Sequence, residues 1–339
     1  MSAPTEQVLA LLPNWIGDVA MCTPALRALH ARYPEADLNV AGRAGACDLL
    51  AGISWIQNRI VIPPRPGIWT LPGLSQALKP FSRDIVVVFP HSFRAAALAR
   101  LSGATQRIGY ARGWRSALLT QTVPPHREGG RIAPVYMARE YLDLVGGLGC
   151  SDDGEGLELV ADPSLVSTIA TKLPKGKPRI GIAPGAAFGG SKRWPVERFA
   201  ETADALTDQI DATCVLLTGP GEADVRLELL GHAHCELIEC HDGASTIEDL
   251  KATVSQLDLL ICNDSGARHV AVAFDVPTVC IMGSTKPAYS VGPYEKGQVL
   301  RVDVDCGPCQ KPVCRTDHRC MTGISPEWVV ETVLRILEE

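Results

Sequence analysis

Short apolar runs alternate with longer segments of helical periodicity along almost the whole chain. Runs that read as buried strands are VLALLP (8–13), DLNVAG (37–42), RIVIP (59–63), DIVVVFP (84–90) and QRIGY (106–110). A second series follows: RIGIAPG (179–185), TCVLLTG (213–219), CELIEC (235–240), LDLLICND (257–264) and PTVCIMG (277–283). Segments such as 196–209, 222–230, 246–256 and 265–274 lie between them and repeat their apolar residues as helices do. Continuously apolar strands separated by helices build parallel sheets covered on both faces. Because the series runs twice, two doubly wound, Rossmann-like α/β domains facing a central cleft are expected. The segment TKLPKGKPR (171–179) has the Pro, Gly and Lys content of a linker, which predicts domains over 1–170 and 180–339.

Composition narrows the class. With 339 residues the chain exceeds one ordinary core, and its hydrophobic content of 46% and charged content of 21% are those of a globular protein. A net charge of −6 gives no global reason to expect a nucleic-acid partner. No apolar run reaches the roughly 20 residues that span a bilayer. The start, MSAPTEQVLALLP, lacks the basic opening of a secretory signal and reads as the first strand of a cytoplasmic protein. Twelve cysteines are many, but several sit inside apolar runs, where a thiol behaves as a small hydrophobe, so a secreted disulfide framework is not expected.

Strand ends are where such sheets bind ligands, and four of them carry polar residues. After the first strand, LLPNWIGDVAMCTPALRAL (11–29) places Gly17 and Asp18 at the start of a helix. The acid can serve as a cap or dipole partner, or as a base kept ionised by the helix N-terminus. IAPGAAFGGSKRWP (182–195) offers Gly185, Gly189 and Gly190 for close backbone approach, and Lys192 as a point charge before a helix. It suits an anion through free N–H groups, yet it is not a Walker A sequence and equally fits an ordinary loop. LTGPGEADVR (217–226) sets Gly219 before Glu222, an acid able either to complement a helix dipole or to accept from a ribose. The densest series is NDSGARH (263–269), in which Asp264 or Ser265 can cap the next helix and Gly266 allows close approach.

Those stretches share a resemblance. NDSGARHVAVAFDVPTVCIMGSTKP resembles the donor-site signature of the glycosyltransferase family that includes the bacterial lipopolysaccharide heptosyltransferases. LLPNWIGDVAMCTPALRAL is similar to its N-terminal motif and PGAAFGGSKRWP to its phosphate loop. FPHSFRAAALARLSGATQRIGYARGWRSALL (89–119) is similar to the members that add the second inner-core heptose. The resemblance runs from residue 8 to about 335, with the motifs in family order. It implies a GT-B fold and inverting transfer of L-glycero-D-manno-heptose from ADP-heptose to a lipid A–Kdo–heptose acceptor at the inner membrane. It further implies that Asp18 is the general base, that the C-terminal half holds the donor and that the N-terminal half holds the acceptor. Donor contacts then fall on Gly17, Gly185, Ala186, Lys192, Gly219, Glu222, Asp264, Ser265, Gly266 and His269. No metal is required by that chemistry and a monomer suffices. Where some relatives carry hydroxyl side chains this chain has Ala186, Ala187 and Phe188, which leaves phosphate contacts there to backbone N–H groups. The alternatives are the first heptosyl step or another family activity, a nucleotide-sugar epimerase on the same fold, and a non-catalytic nucleotide-sugar-binding module.

Three features remain. Residues 79–139 hold ten basic and two acidic side chains, a net +8, which suits a phosphorylated glycolipid; His91, Arg94 and Arg112 are the acceptor-side candidates. Asp303-Val304-Asp305 has the spacing of a metal-binding acid pair but is expected on a strand, away from the donor motifs. Cys306, Cys309, Cys314 and Cys320, with His318, could hold a structural metal, form a disulfide or stay reduced. SPEWVVETVLRILEE (325–339) predicts a capped amphipathic last helix.

Overall fold

The computed structural model describes residues 6–64, 67–241 and 245–338. It divides into two compact units, Met1–Glu158 and Leu159–Glu339. The first contains β1 (Gln7–Leu11), α1 (Ile16–Arg32), β2 (Asp37–Gly42), α2 (Ala44–Leu49), β3 (Asn58–Val61), α3 (Leu71–Leu78) and β4 (Ile85–Val88). It continues through α4 (Phe93–Ser102), β5 (Gln106–Tyr110), β6 (Gln121–Val123), a short hairpin of β7 (Arg127–Glu128) and β8 (Arg131–Ile132), and α5 (Met137–Gly146). Its main sheet has the order β3-β2-β1-β4-β5-β6, every pairing parallel.

The second unit contains α6 (Pro163–Ala170), β9 (Arg179–Ala183), α7 (Val196–Ile210), β10 (Thr213–Leu216), α8 (Ala223–His232), β11 (Leu237–Ile238) and α9 (Ile247–Val254). After these come β12 (Leu259–Asn263), α10 (Gly266–Ala273), β13 (Thr278–Ile281), α11 (Pro287–Ser290), β14 (Gly297–Leu300), α12 (Arg319–Thr322) and α13 (Pro326–Glu338). Its sheet, β11-β10-β9-β12-β13-β14, repeats the topology of the first, again wholly parallel.

The central strands form where both faces are apolar. Val8 to Leu11 and all of β4, β12 and β13 are buried, so each strand is covered by helices on either side. In the second unit Ile180, Ile182, Leu216, Ile261 and Ile281 pack with Trp194, Phe199 and Val329 in one cluster. Trp194 satisfies its buried indole N–H on the Ile324 carbonyl at 3.0 Å. The first unit's cluster joins Leu9, Leu11, Val86 and Val88 to Leu71, Leu78, Leu98 and Ala99.

Two expectations change. The division falls at residues 158 and 159 rather than at 171–179. Helix α6 packs against α9, and the 171–179 segment is tied down in the second unit: Lys172 Nζ donates to the Cys240 carbonyl at 2.8 Å and Lys177 pairs with Asp211 at 2.6 Å. The Asp303–Asp305 pair lies in irregular chain after β14, and not on a strand, with Asp303 paired to Arg301. The last helix forms as expected, its first turn held by the Trp328 N–H donating to Ser325 Oγ. Among the described residues no helix is long and apolar enough to cross a membrane.

Candidate active site

In each sheet the strand order reverses at its centre, between β1 and β4 in the first unit and between β9 and β12 in the second. The crevice beyond the carboxyl ends at such a reversal is where open α/β sheets bind ligands. The loops singled out in the sequence leave β1, β9 and β12 at these reversals and the neighbouring β10, and His91 and Arg94 follow β4.

In the second unit the loop after β9 meets the loop after β12 through Asp264. Its Oδ2 accepts from Lys192 Nζ at 2.6 Å and from Thr285 Oγ1 at 2.7 Å. Its Oδ1 accepts from Ser290 Oγ at 3.1 Å and Arg268 Nη1 at 3.2 Å. Arg268, itself buried, forks onto Glu295 at 2.6 and 2.5 Å. Burial alone would raise the Asp264 carboxyl, but Lys192 and Arg268 hold it well below the usual carboxylate range. Asp264 and Ser265 therefore do not cap α10 through their side chains, as the sequence suggested; the aspartate is spent on the network. Lys192 likewise is not an isolated point charge, since its ammonium is ion-paired and also donates to the Asp264 carbonyl at 3.0 Å.

The other donor candidates, Gly17 apart, lie in this same unit. Asn263 is buried and ties both ends of the loop after β9 to β12, donating to the Pro184 carbonyl at 2.7 Å and accepting from the Trp194 N–H at 3.0 Å. Ala186 is buried within the loop and Gly266 opens α10. Gly185 and Glu222 are in close contact: a Cβ on Gly185 would lie 1.9 Å from Glu222 Oε1. Glu222 also accepts from the Gly219 N–H at 2.8 Å, so three expected residues converge where β9 and β10 end. His269 is buried; first its burial and then Arg268 lower its imidazole to about 4, which keeps it neutral.

The cysteine segment braces the same loop from outside. The Pro312 carbonyl accepts from the Ser191 N–H at 3.1 Å, and a Cβ at Gly189, whose φ is +146°, would lie 2.3 Å from that oxygen. His318 Nε2 lies 3.1 Å from the Ser191 carbonyl, and the Gln310 N–H donates to the Ser284 carbonyl at 2.9 Å. Cys306, Cys309, Cys314 and Cys320 line one small cavity of about 80 Å³ beside these contacts. All twelve cysteines are unpaired, and among the described residues no group of three or more His, Cys, Asp or Glu is arranged to hold a metal.

In the first unit Asp18 lies in the first turn of α1, after buried Gly17 and the extended Trp15 that starts the helix. Its carboxylate faces Cys22 and Tyr141 of α5: burial first, then the Asp18 charge, push both their pKa values up. His91 and Arg112, from the ends of β4 and β5, meet on one carboxylate that sequence reasoning missed, Glu140. Arg112 Nη2 donates to Glu140 Oε1 at 2.7 Å; His91 Nε2 stands 2.9 Å from that oxygen but makes no hydrogen bond among the described residues. Beneath them buried Arg115 donates to the Pro90 and Val88 carbonyls, and a Cβ on Gly109 would lie 2.6 Å from its Nη2. Arg94 is apart from this group. With Asn14, Arg43 and Ser92 it lines a cavity of about 200 Å³ over the ends of β1, β2 and β4.

The model of glycosyltransferase family 9 (heptosyltransferase) matches residues 73–319. The chain belongs to that family. This family 9 glycosyltransferase is 26% identical to lipopolysaccharide heptosyltransferase 2 of Escherichia coli K12, over 98% of each chain. It is 27% identical to the protein of the same name from Salmonella typhimurium, over 98% of its own length and 99% of the relative's. Among solved structures, that of the E. coli ADP-heptose LPS heptosyltransferase II superposes with a TM-score of 0.80 at 25% identity, covering 98% of both chains. The two-sheet architecture is thus a GT-B fold, as the alternation of strands and helices and the motif resemblance led one to expect.

Proposed function

We propose that this glycosyltransferase moves L-glycero-D-manno-heptose from ADP-heptose to the first heptose of a lipid A–Kdo–heptose acceptor, inverting the anomeric centre. The observation that carries the reading is end-to-end similarity to relatives named for that heptosyl step, joined to built polar sites at both sheet reversals. The second unit takes the donor. Glu222 accepts from a ribose hydroxyl with the oxygen not given to Gly219, as acids do in nucleotide-binding sheets. Lys192 has three N–H donors, of which two go to Asp264, and directs the third at the diphosphate. The N–H groups that open α10 add the positive end of a helix dipole where the leaving group gains charge.

The first unit takes the acceptor. Asp18 removes the proton of the attacking hydroxyl as its oxygen bonds to the anomeric carbon and the carbon–oxygen bond to ADP breaks. His91, Arg94 and Arg112 bind anionic groups of the glycolipid. The enzyme works as a monomer at the inner face of the inner membrane, peripherally attached, and requires no metal. The test mixes purified protein with ADP-heptose and a heptose-bearing core acceptor, following ADP and product mass. ADP release that depends on acceptor, with a product heavier by one heptose, is expected; release at the same rate without acceptor, or an unextended acceptor, contradicts the reading.

A further inference from the structure

We infer that the outer face of α4, together with Trp69, docks this transferase onto the surface of an anionic phospholipid bilayer. Helix α4 packs its inner residues, Leu98 and Ala99 among them, into the core of the first unit. Its outward stripe is Phe93, Arg94, Ala97, Arg100 and Leu101, a helical spacing that a solvated helix fills with polar residues. Here the stripe is apolar and cationic together: Phe93 is 57% exposed and Leu101 46%. Trp69, 94% exposed, comes from the turn before α3 and shares with these residues one broad, shallow hollow of about 620 Å³ walled almost wholly by apolar atoms. Soluble chains seldom leave a contiguous patch of this kind uncovered.

Charge decides what covers it. From Arg59 to Arg127 the sequence holds one acid, Asp84, and its carboxylate accepts from the N–H groups of Glu6 and Gln7 where β1 begins, at the other end of the strands. The rim of the hollow is Arg94 and Arg100. A tryptophan and two further apolar side chains flanked by arginines match the boundary of an anionic bilayer, where indoles sit at the headgroups and guanidinium groups meet phosphates. The hollow also shares Leu71 and Arg94 with the cavity over the ends of β1, β2 and β4. A bilayer resting on Trp69, Phe93 and Leu101 thus holds its headgroups at the mouth of the cavity nearest Asn14 and Arg94. The proposal rests on the reading that the acceptor is membrane-anchored, but its test uses no acceptor.

The full chain is sedimented with vesicles of phosphatidylcholine alone and with vesicles containing about one-third phosphatidylglycerol. Binding at least about tenfold tighter to the anionic vesicles is expected, with a loss of about tenfold in Trp69→Ser/Leu101→Ser and a smaller, salt-sensitive loss in Arg100→Gln. Indole fluorescence gives an independent readout: a blue shift on vesicle addition that disappears in Trp69→Phe. Both surface variants should keep the parent's melting temperature and its ADP release with a deacylated, soluble acceptor. Equal vesicle binding by parent and double variant, no preference for anionic lipid, or a patch-dependent dimer that excludes vesicles would each overturn the proposal. Failure of heptose transfer leaves the vesicle result standing, so the two readings fail separately.

Discussion

Two buried carboxylates, one in each unit, organise the polar loops in opposite ways. Asp264 in the second unit is saturated: Lys192, Arg268, Thr285 and Ser290 all bond to it, and Arg268 is completed by Glu295. Among the described residues, Glu140 in the first unit has a single hydrogen-bonded cation, Arg112, with His91 in contact but not bonded. Around it the buried Nε atoms of Arg112 and Arg115 make no hydrogen bond within the described residues. A closed ionic network is rigid before any ligand arrives, whereas buried donors left over mark a place where partners come from outside. Under the proposed function, the Asp264 network is a preformed part of the donor side, and the acceptor side is completed by its anionic substrate.

The comparison breaks most visibly if Asp264 is removed. In Asp264→Ala, Lys192 and Arg268 lose a buried counter-charge, which should cost about 3–5 kcal/mol in urea unfolding and abolish measurable donor binding. A smaller loss would show that the network is not rigid. Acid should probe the same unit. The His269 imidazole is lowered from 6.5 in the unfolded chain to about 4 in the folded one, by burial first and then by Arg268. Between those values the unfolded chain binds the extra proton, so stability falls as pH drops from about 6.5 to 4, by about 3 kcal/mol in full. Urea midpoints against pH should show that slope, and His269→Gln should flatten it. In the first unit, Glu140→Gln should cost only about 1 kcal/mol, because its partners are partly exposed. It should raise the acceptor KM while leaving the affinity for ADP unchanged; a stability cost as large as that of Asp264→Ala would erase the distinction.

Every run in the two series became a strand; the central ones, buried on both faces, were legible as unbroken apolar runs, while exposed β3 showed through its β-branched residues. What was missed lies at the edges. β6 (QTV) and β14 (GQVL) each flank their sheet with mixed, partly exposed residues, so neither carries the apolar signature. The site was legible one loop at a time. NDSGARH and GGSKRW stood out as polar tips, but nothing in their spacing says that Lys192 and Asp264, 72 positions apart, form one ion pair. Glu140 had no signal at all: it sits in an amphipathic helix among ordinary charges, and becomes notable only once β4 and β5 bring His91 and Arg112 to it. Asn263 was visible as a polar residue after a strand, while its task of holding the loop at Pro184 and Trp194 depends on the sheet being folded.

The central claim is that the two units divide the reaction, donor recognition in one and proton removal in the other. It is tested most directly by measuring ADP affinity and turnover side by side in Asp18→Asn. The account predicts ADP binding equal to the parent's and heptosyl transfer slower by about 10³-fold. Weakened ADP binding in that variant, or turnover close to the parent's, would contradict it.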